Sequence, residues 1–137
     1  MDLPTALFVK RGAILHTDLF LKTIGHGKFV VIIGEDKENY MGLFFINSNI
    51  HKMIFNKQEL LNLQYPLLRR DYSFLDYDSF LSCTEITKLN KATLTKSISD
   101  KQTRLVSTLK DKHLDEILTL VRNSNVFSKR EKEKFFK

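Results

Sequence analysis

The stretch GHGKFVVII, residues 25–33, brackets His26 with two of the chain's five glycines and sets Lys28 at the start of an apolar run. A second polar cluster, Asn47-Ser48-Asn49, ends the apolar run LFFI. Imidazole is the side chain that exchanges a proton near neutral pH. Lysine adds a compact positive charge, and hydroxyl and amide groups orient an anion. Together these groups match the needs of metal-free RNA cleavage. RNA carries its own nucleophile, the 2′-hydroxyl. The catalyst supplies a base for that proton, an acid for the leaving 5′-oxygen, and positive charge for the crowded phosphate. The same residues also fit a plainer reading. Gly25 and Gly27 then serve a hairpin turn, His26 is an ordinary turn histidine, Lys28 a solvated strand edge, and Asn47 and Ser48 hydrogen-bonded groups at a strand end.

Other chemistries find less support. His16, His26, His51 and His113 have no near partner at metal-ligand spacing, and a lone cysteine, Cys83, cannot build a structural zinc site. No metal and no cofactor is expected. The glycine patterns of phosphate-binding and dinucleotide-binding loops are missing from the sequence, as is nucleophile-elbow spacing. The carboxylate pairs Glu35–Asp36 and Asp76–Asp78 read as turns. His16 reads as a structural strand residue, and Cys83, in an apolar run, as buried and inert.

The elements that must position these groups are short strands followed by helix. Strands are expected over 13–21, 28–36 and 41–50, with a polar turn at 37–40 and a possible extension over 53–57. Residues 58–72 are ambiguous: Leu60, Leu61 and Leu63 could open a helix that Pro66 would end. A strand with near-alternation at Phe80, Cys83 and Ile86 lies within 73–87, and 89–98 reads as a Thr/Lys-rich connector. From Asp111, Leu114, Ile117, Leu118 and Val121 fall on one helical face. Ser128 and Glu131 have capping-box spacing and open a last basic helix that Phe135 and Phe136 could dock. This is a mainly β chain with a C-terminal helix, a small barrel or sandwich. One domain is expected over 1–137, with its core at about 8–122 and a basic helical extension over 123–137.

The 137 residues carry a net charge of +6, unevenly spread. Residues 1–87 hold nine Lys/Arg and ten Asp/Glu, whereas 88–137 hold thirteen and six. The basic back half suggests a polyanion such as RNA, or an acidic protein partner; a merely Lys-rich surface explains it equally. No run reaches the ~20 apolar residues of a membrane span. With no secretory signal read at the N-terminus and no disulfide, a cytoplasmic setting is expected.

Several segments, in order, resemble the PemK/MazF-type toxins. VKRGAILHTDL (9–19) resembles the family's opening, GHGKFVVII its loop and second strand, and LFFINSNIHK (43–52) its third strand. RDYSFLDYDSFLSCTEITKLNKATL (70–94) resembles the later segment with its acidic strand residue, here Glu85, and VSTLKDKHLDEILTLV (106–121) the closing helix. The resemblance covers roughly 8–122. It implies an SH3-like small β-barrel, a homodimer, and a toxin of a type II toxin–antitoxin system. The implied activity is metal-independent endoribonuclease cleavage of single-stranded RNA (mRNA), restrained by a cognate antitoxin. The family's catalytic loop Arg falls on Gly27 or Lys28, its neighbouring Pro is missing, and its strand-end hydroxyl falls on Ser48 or Asn47. His26, Lys28, Ser48 and Asn47 are therefore the catalytic candidates, and Arg11, Arg69 and Arg70 the RNA-binding ones. The departures leave an alternative: a catalytically inactive barrel that binds RNA or a protein.

Overall fold

The computed structural model describes residues 9–19, 27–41, 58, 62–84 and 86–136, together with the main chain of 44–47. His26, Ser48 and Glu85 lie outside the described residues, as do the expected strand extension at 53–57 and residues 60 and 61. Nine strands and three α-helices are placed among the described residues. The strands are β1 (Ala13–Thr17), β2 (Lys28–Val31), β3 (Gly34–Glu35), β4 (Asn39–Met41), β5 (Phe44–Asn47), β6 (Gln64–Leu67), β7 (Ser79–Ser82), β8 (Leu89–Asn90) and β9 (Thr103–Thr108). The helices are α1 (Lys91–Ser99), α2 (Asp111–Arg122) and α3 (Lys129–Phe135). Six strands pair in the order β6-β7-β5-β2-β1-β9, and β3-β4-β8 form a second sheet. Every pairing is antiparallel. The chain is thus β-rich, as expected.

β1 opens with three consecutive apolar residues because both its faces are covered there. Ala13, Ile14 and Leu15 are each fully buried. Alternate residues of β1 and β2 feed two cores. Ile14 and Val31 join Met41, Leu81, Ile117, Val121 and Phe136 on one side, and Leu15 and Val30 join Val9, Leu89 and Leu94 on the other.

The expected strand over 28–36 is two strands that belong to different sheets. Ile32 still donates to Ala13 O (3.0 Å), but Ile33 donates to Met41 O (3.2 Å), so the chain changes partner between them. Continuous hydrophobicity hides such a switch, because both halves are buried. The run over 41–50 is likewise split between β4 and β5, with 42–43 and 48–50 outside the described residues. Between β3 and β4 the expected turn is held by Asp36, whose carboxylate accepts from the main-chain N–H of Glu38 and Asn39 (2.9 and 2.8 Å).

Three further expectations are corrected. Pro66 does not close the helical stretch directly: Gln58 is helical and its carbonyl accepts from Asn62 N–H (2.9 Å), residues 59–61 lie outside the described residues, and Pro66 sits in β6, at the sheet edge, where its missing N–H costs no ladder bond. In and after β7 the buried residues are Ser79, Leu81 and Cys83, whereas Phe80 and Ile86 are half-buried, so of the expected set only Cys83 falls on the buried phase. The supposed connector 89–98 holds β8 and α1. Asn90 caps α1 by accepting from Thr93 N (3.0 Å), and Leu94 and Ser97 are its buried positions. β-Branched threonines and a weak apolar stripe hid this helix. β9 was hidden too, because Thr103, Ser107 and Thr108 dilute its apolar residues.

The C-terminal helices match expectation. In α2, Ile117, Leu118 and Val121 are buried and Leu114 half-buried. α3 carries the full Ser128–Glu131 capping box. It is docked: Phe136 is fully buried and Phe135 nearly so. Arg11 donates to Phe135 O (3.3 Å) and to Ile33 O (2.7 Å), Arg122 donates to Phe136 O, and the Phe135 main chain lies against Gly34, where a Cβ would come within 2.8 Å of its carbonyl. Phe136→Ala should therefore cost ~3–5 kcal/mol in urea unfolding, as for a fully buried core ring. Gly34→Ala should destabilise in the same assay, and a frayed tail would respond to neither. Burial also pushes the Cys83 thiol up in pKa. A thiol reagent at pH 8 should leave the native protein unmodified and react after denaturation.

Candidate functional site

The register of three strands assembles the site. His16 lies opposite Phe29 on β2 and opposite Arg104 on β9; Thr17 lies opposite Lys28 and Thr103. Directly opposed residues share a face, so the sheet sorts these groups into two sets. Thr17, Lys28 and Thr103 face α1. There the Thr17 and Thr103 hydroxyls are 2.7 Å apart and Ser97 Oγ is 2.9 Å from Thr103 Oγ1, a buried polar cluster that locks α1 to the end of β1. His16, Phe29 and Arg104 face the other way.

Gly27 lies on the His16 side, and its missing side chain is what lets the groups there approach. A Cβ at Gly27 would lie 2.6 Å from His16 Cε1, 2.8 Å from His16 Nε2 and 2.7 Å from Asp18 Oδ1. Real Cβ atoms do not come so near, so the imidazole and the carboxylate occupy the space a side chain would need. Asp18 is itself fixed: its N–H donates to Gln102 O (2.9 Å), and the next residue, Leu19, donates to Thr17 Oγ1 (3.1 Å). The Phe29 ring meets the His16 imidazole edge-on, 5.0 Å between centroids.

From His16 a row of rings crosses the molecule. Phe29 meets Phe74 (4.9 Å), Phe74 meets Tyr72 (6.2 Å), Tyr72 meets His113 (5.6 Å), and His113 meets Tyr65 (6.1 Å). Tyr72 is buried; the other rings are half-buried and keep part of their surface open to water. Hydrogen bonds fix the far end. Lys110 N donates to the Tyr72 hydroxyl (3.1 Å), which lies 2.6 Å from His113 Nδ1, and Tyr65 donates to Glu116. Burial raises the pKa of both tyrosines, and the Glu116 bond raises that of Tyr65 further, so both hold their protons at neutral pH.

The sequence candidates are placed as follows. Lys28 is half-buried at the start of β2. Asn47 ends β5, and the β2–β5 register of Val30 opposite Phe45, continued by two residues, brings Lys28 level with Asn47. Arg69 and Arg70 are exposed in the turn before Tyr72, where Arg69 N donates to Asp78 Oδ1 (2.9 Å). Arg11 instead ties α3 to β2–β3, so the donors expected for RNA phosphate serve main-chain carbonyls. The carboxylate pairs stay with turns and ion pairs: Glu35 meets Lys91 at 2.6 Å and Asp36 meets Lys134 at 3.9 Å. Sequence reasoning missed His16 and Asp18 as a pair, although their i, i+2 spacing on a strand places them on one face. It also missed Arg104, because β9 went unrecognised.

Among the described residues no three of His, Cys, Asp or Glu come together as metal ligands would, and no helix is long and apolar enough to cross a membrane. No protein-family model matches the chain, and no curated protein matches it. The site's organisation rests on Gly27, and Gly27→Ala should report on it. The substitution should move the His16 Hε1 resonance strongly in the proton NMR spectrum and leave that of His113 nearly unchanged. An unmoved His16 signal would mean that the ring does not lie against residue 27.

Proposed function

We propose that the protein is a metal-independent endoribonuclease of the PemK/MazF type, with its strands arranged as an SH3-like barrel, acting on single-stranded RNA as the toxin of a toxin–antitoxin pair. The observation that carries this reading is the row of half-open rings that runs to His16. Unpaired bases stack on such rings, each stack being worth ~1–3 kcal/mol, and cations beside the row take the phosphates. Arg69 and Arg70 flank it at Tyr72, and Arg104 flanks it at His16.

In this reading the backbone of the RNA passes the start of β2. Lys28 offsets the charge that grows on the phosphorane, in place of the Arg that the resemblance calls for. Asn47 or Ser48 orients the phosphate, and His26, which precedes Gly27 in the sequence, is a candidate for proton transfer. A point charge replaces a bidentate fork, so the rate should be modest. A twofold dimer would double the groove and leave it for an acidic antitoxin segment to occupy.

The test is a single-stranded RNA incubated with the protein in EDTA. Fragments ending in 2′,3′-cyclic phosphate and 5′-hydroxyl are expected, with Lys28→Ala slower by roughly 100-fold, the usual loss for a charge-stabilising donor. Arg69→Ala with Arg70→Ala should weaken RNA binding and flatten its salt dependence, because two phosphate contacts are removed. Binding without cleavage would favour the inactive-barrel alternative. Neither binding nor cleavage at low salt would end the RNA reading.

A further inference from the structure

We propose that His16 is the base that takes the 2′-hydroxyl proton and that Asp18 is its positioning residue. This assignment rests on the ribonuclease reading and names the group that does its proton transfer. Four observations on the page support it. His16 sits where the row of rings ends, so a nucleotide stacked on Phe29 and Phe74 has its sugar near the imidazole. The ring is half-buried and makes no hydrogen bond to any described residue. Asp18 Oδ1 and His16 Nε2 both border the space that a Cβ on Gly27 would take, so a carboxylate stands to one side of the imidazole without a hydrogen bond or ion pair to it, and its negative charge favours the imidazolium that the step forms. Arg104, exposed and directly opposite His16 on β9, places a guanidinium beside it for the phosphate.

The step balances without a co-reactant. Neutral His16 accepts the 2′-hydroxyl proton as the 2′-oxygen bonds to phosphorus. The bond from phosphorus to the 5′-oxygen breaks, and that oxygen takes a proton from water. The products are a 2′,3′-cyclic phosphate and a 5′-hydroxyl, and the imidazolium then returns its proton to solvent. The charged groups around His16 are Asp18 from its own strand and Arg104 from β9. Lys28 on β2 projects to the opposite face with Thr17, and Phe29 and Phe74 bring no charge.

A base must be unprotonated to act, so kcat should rise with pH and then level. His16→Gln should lower kcat ~100-fold or more and abolish that rise. Asp18→Asn should lower kcat about 10-fold with KM nearly unchanged, and keep the rise, because the base is still present but its imidazolium is favoured less. A purely structural Asp18 would show its effect in thermal unfolding rather than in kcat alone. Diethyl pyrocarbonate supplies an independent readout on the wild type, should His16→Gln fail to fold: activity should fall in step with His16 modification, located by mass spectrometry. The assignment is overturned if His16→Gln keeps the pH-dependent rise, if the rise disappears in His26→Gln instead, or if activity survives His16 modification. A wild type that cuts no RNA at any pH sinks the ribonuclease reading itself, an outcome distinct from all of these.

Discussion

The double burial of β1 constrains everything built around it. Ile14 belongs to one core and Leu15 to the other, and both are fully buried. A slip of one residue would exchange the two sets and send each into the wrong core. The register with β2 and β9 is therefore fixed by packing over Ala13–Leu15, and its consequences appear two residues on, where the strand reaches the surface. There the same register sets His16 against Phe29 and Arg104, and Thr17 against Lys28 and Thr103. Hydrophobic burial at one end of a five-residue strand thus positions polar groups at the other.

Two local devices finish the arrangement. On one face, the buried hydroxyl cluster of Thr17, Thr103 and Ser97 ties α1 to the strand end, so the polar groups that leave the core remain satisfied. On the other, Gly27 leaves a gap that His16 and Asp18 fill. The gap is a use of glycine different from the turn geometry its sequence context suggests: what matters there is the absence of a Cβ. The C-terminal segment works the same way at Gly34, where Phe135 passes too close for any side chain. Arg11 clamps both sides of that contact.

Much of the fold was legible in the sequence where periodicity was strong. The Leu114-Ile117-Leu118-Val121 face and the Ser128–Glu131 box gave two helices whose starts lie within a residue of the observed ones, because each signal is local. Segment 28–36 was legible as buried but not as a partner switch, since burial on both sides erases the alternation that would mark a sheet change. α1 and β9 were illegible for a related reason. Thr93, Thr95, Thr103 and Thr108 suit neither a clean apolar stripe nor a clean alternation, and their placement is decided by tertiary packing. The candidate site was half legible. Lys28 and Asn47 were named from residue type, and they stand at the first position of β2 and the last of β5, strands that pair. The His16–Asp18 pair was not, because its signal is a contact between β1 and a glycine nine residues further on.

The measurement that tests this account most directly is a nuclear Overhauser experiment on the wild-type protein, between the His16 Hε1 proton and the Gly27 Hα protons. The contact that joins the fixed register of β1 to the candidate chemistry predicts a strong cross-peak, accompanied by one between the His16 ring and the Phe29 ring. If Hε1 shows no cross-peak to Gly27 while the Ile14–Val31 contacts of the same hairpin are present, the hairpin is as described but the site is not, and His16 belongs to the surface rather than to a catalytic pair.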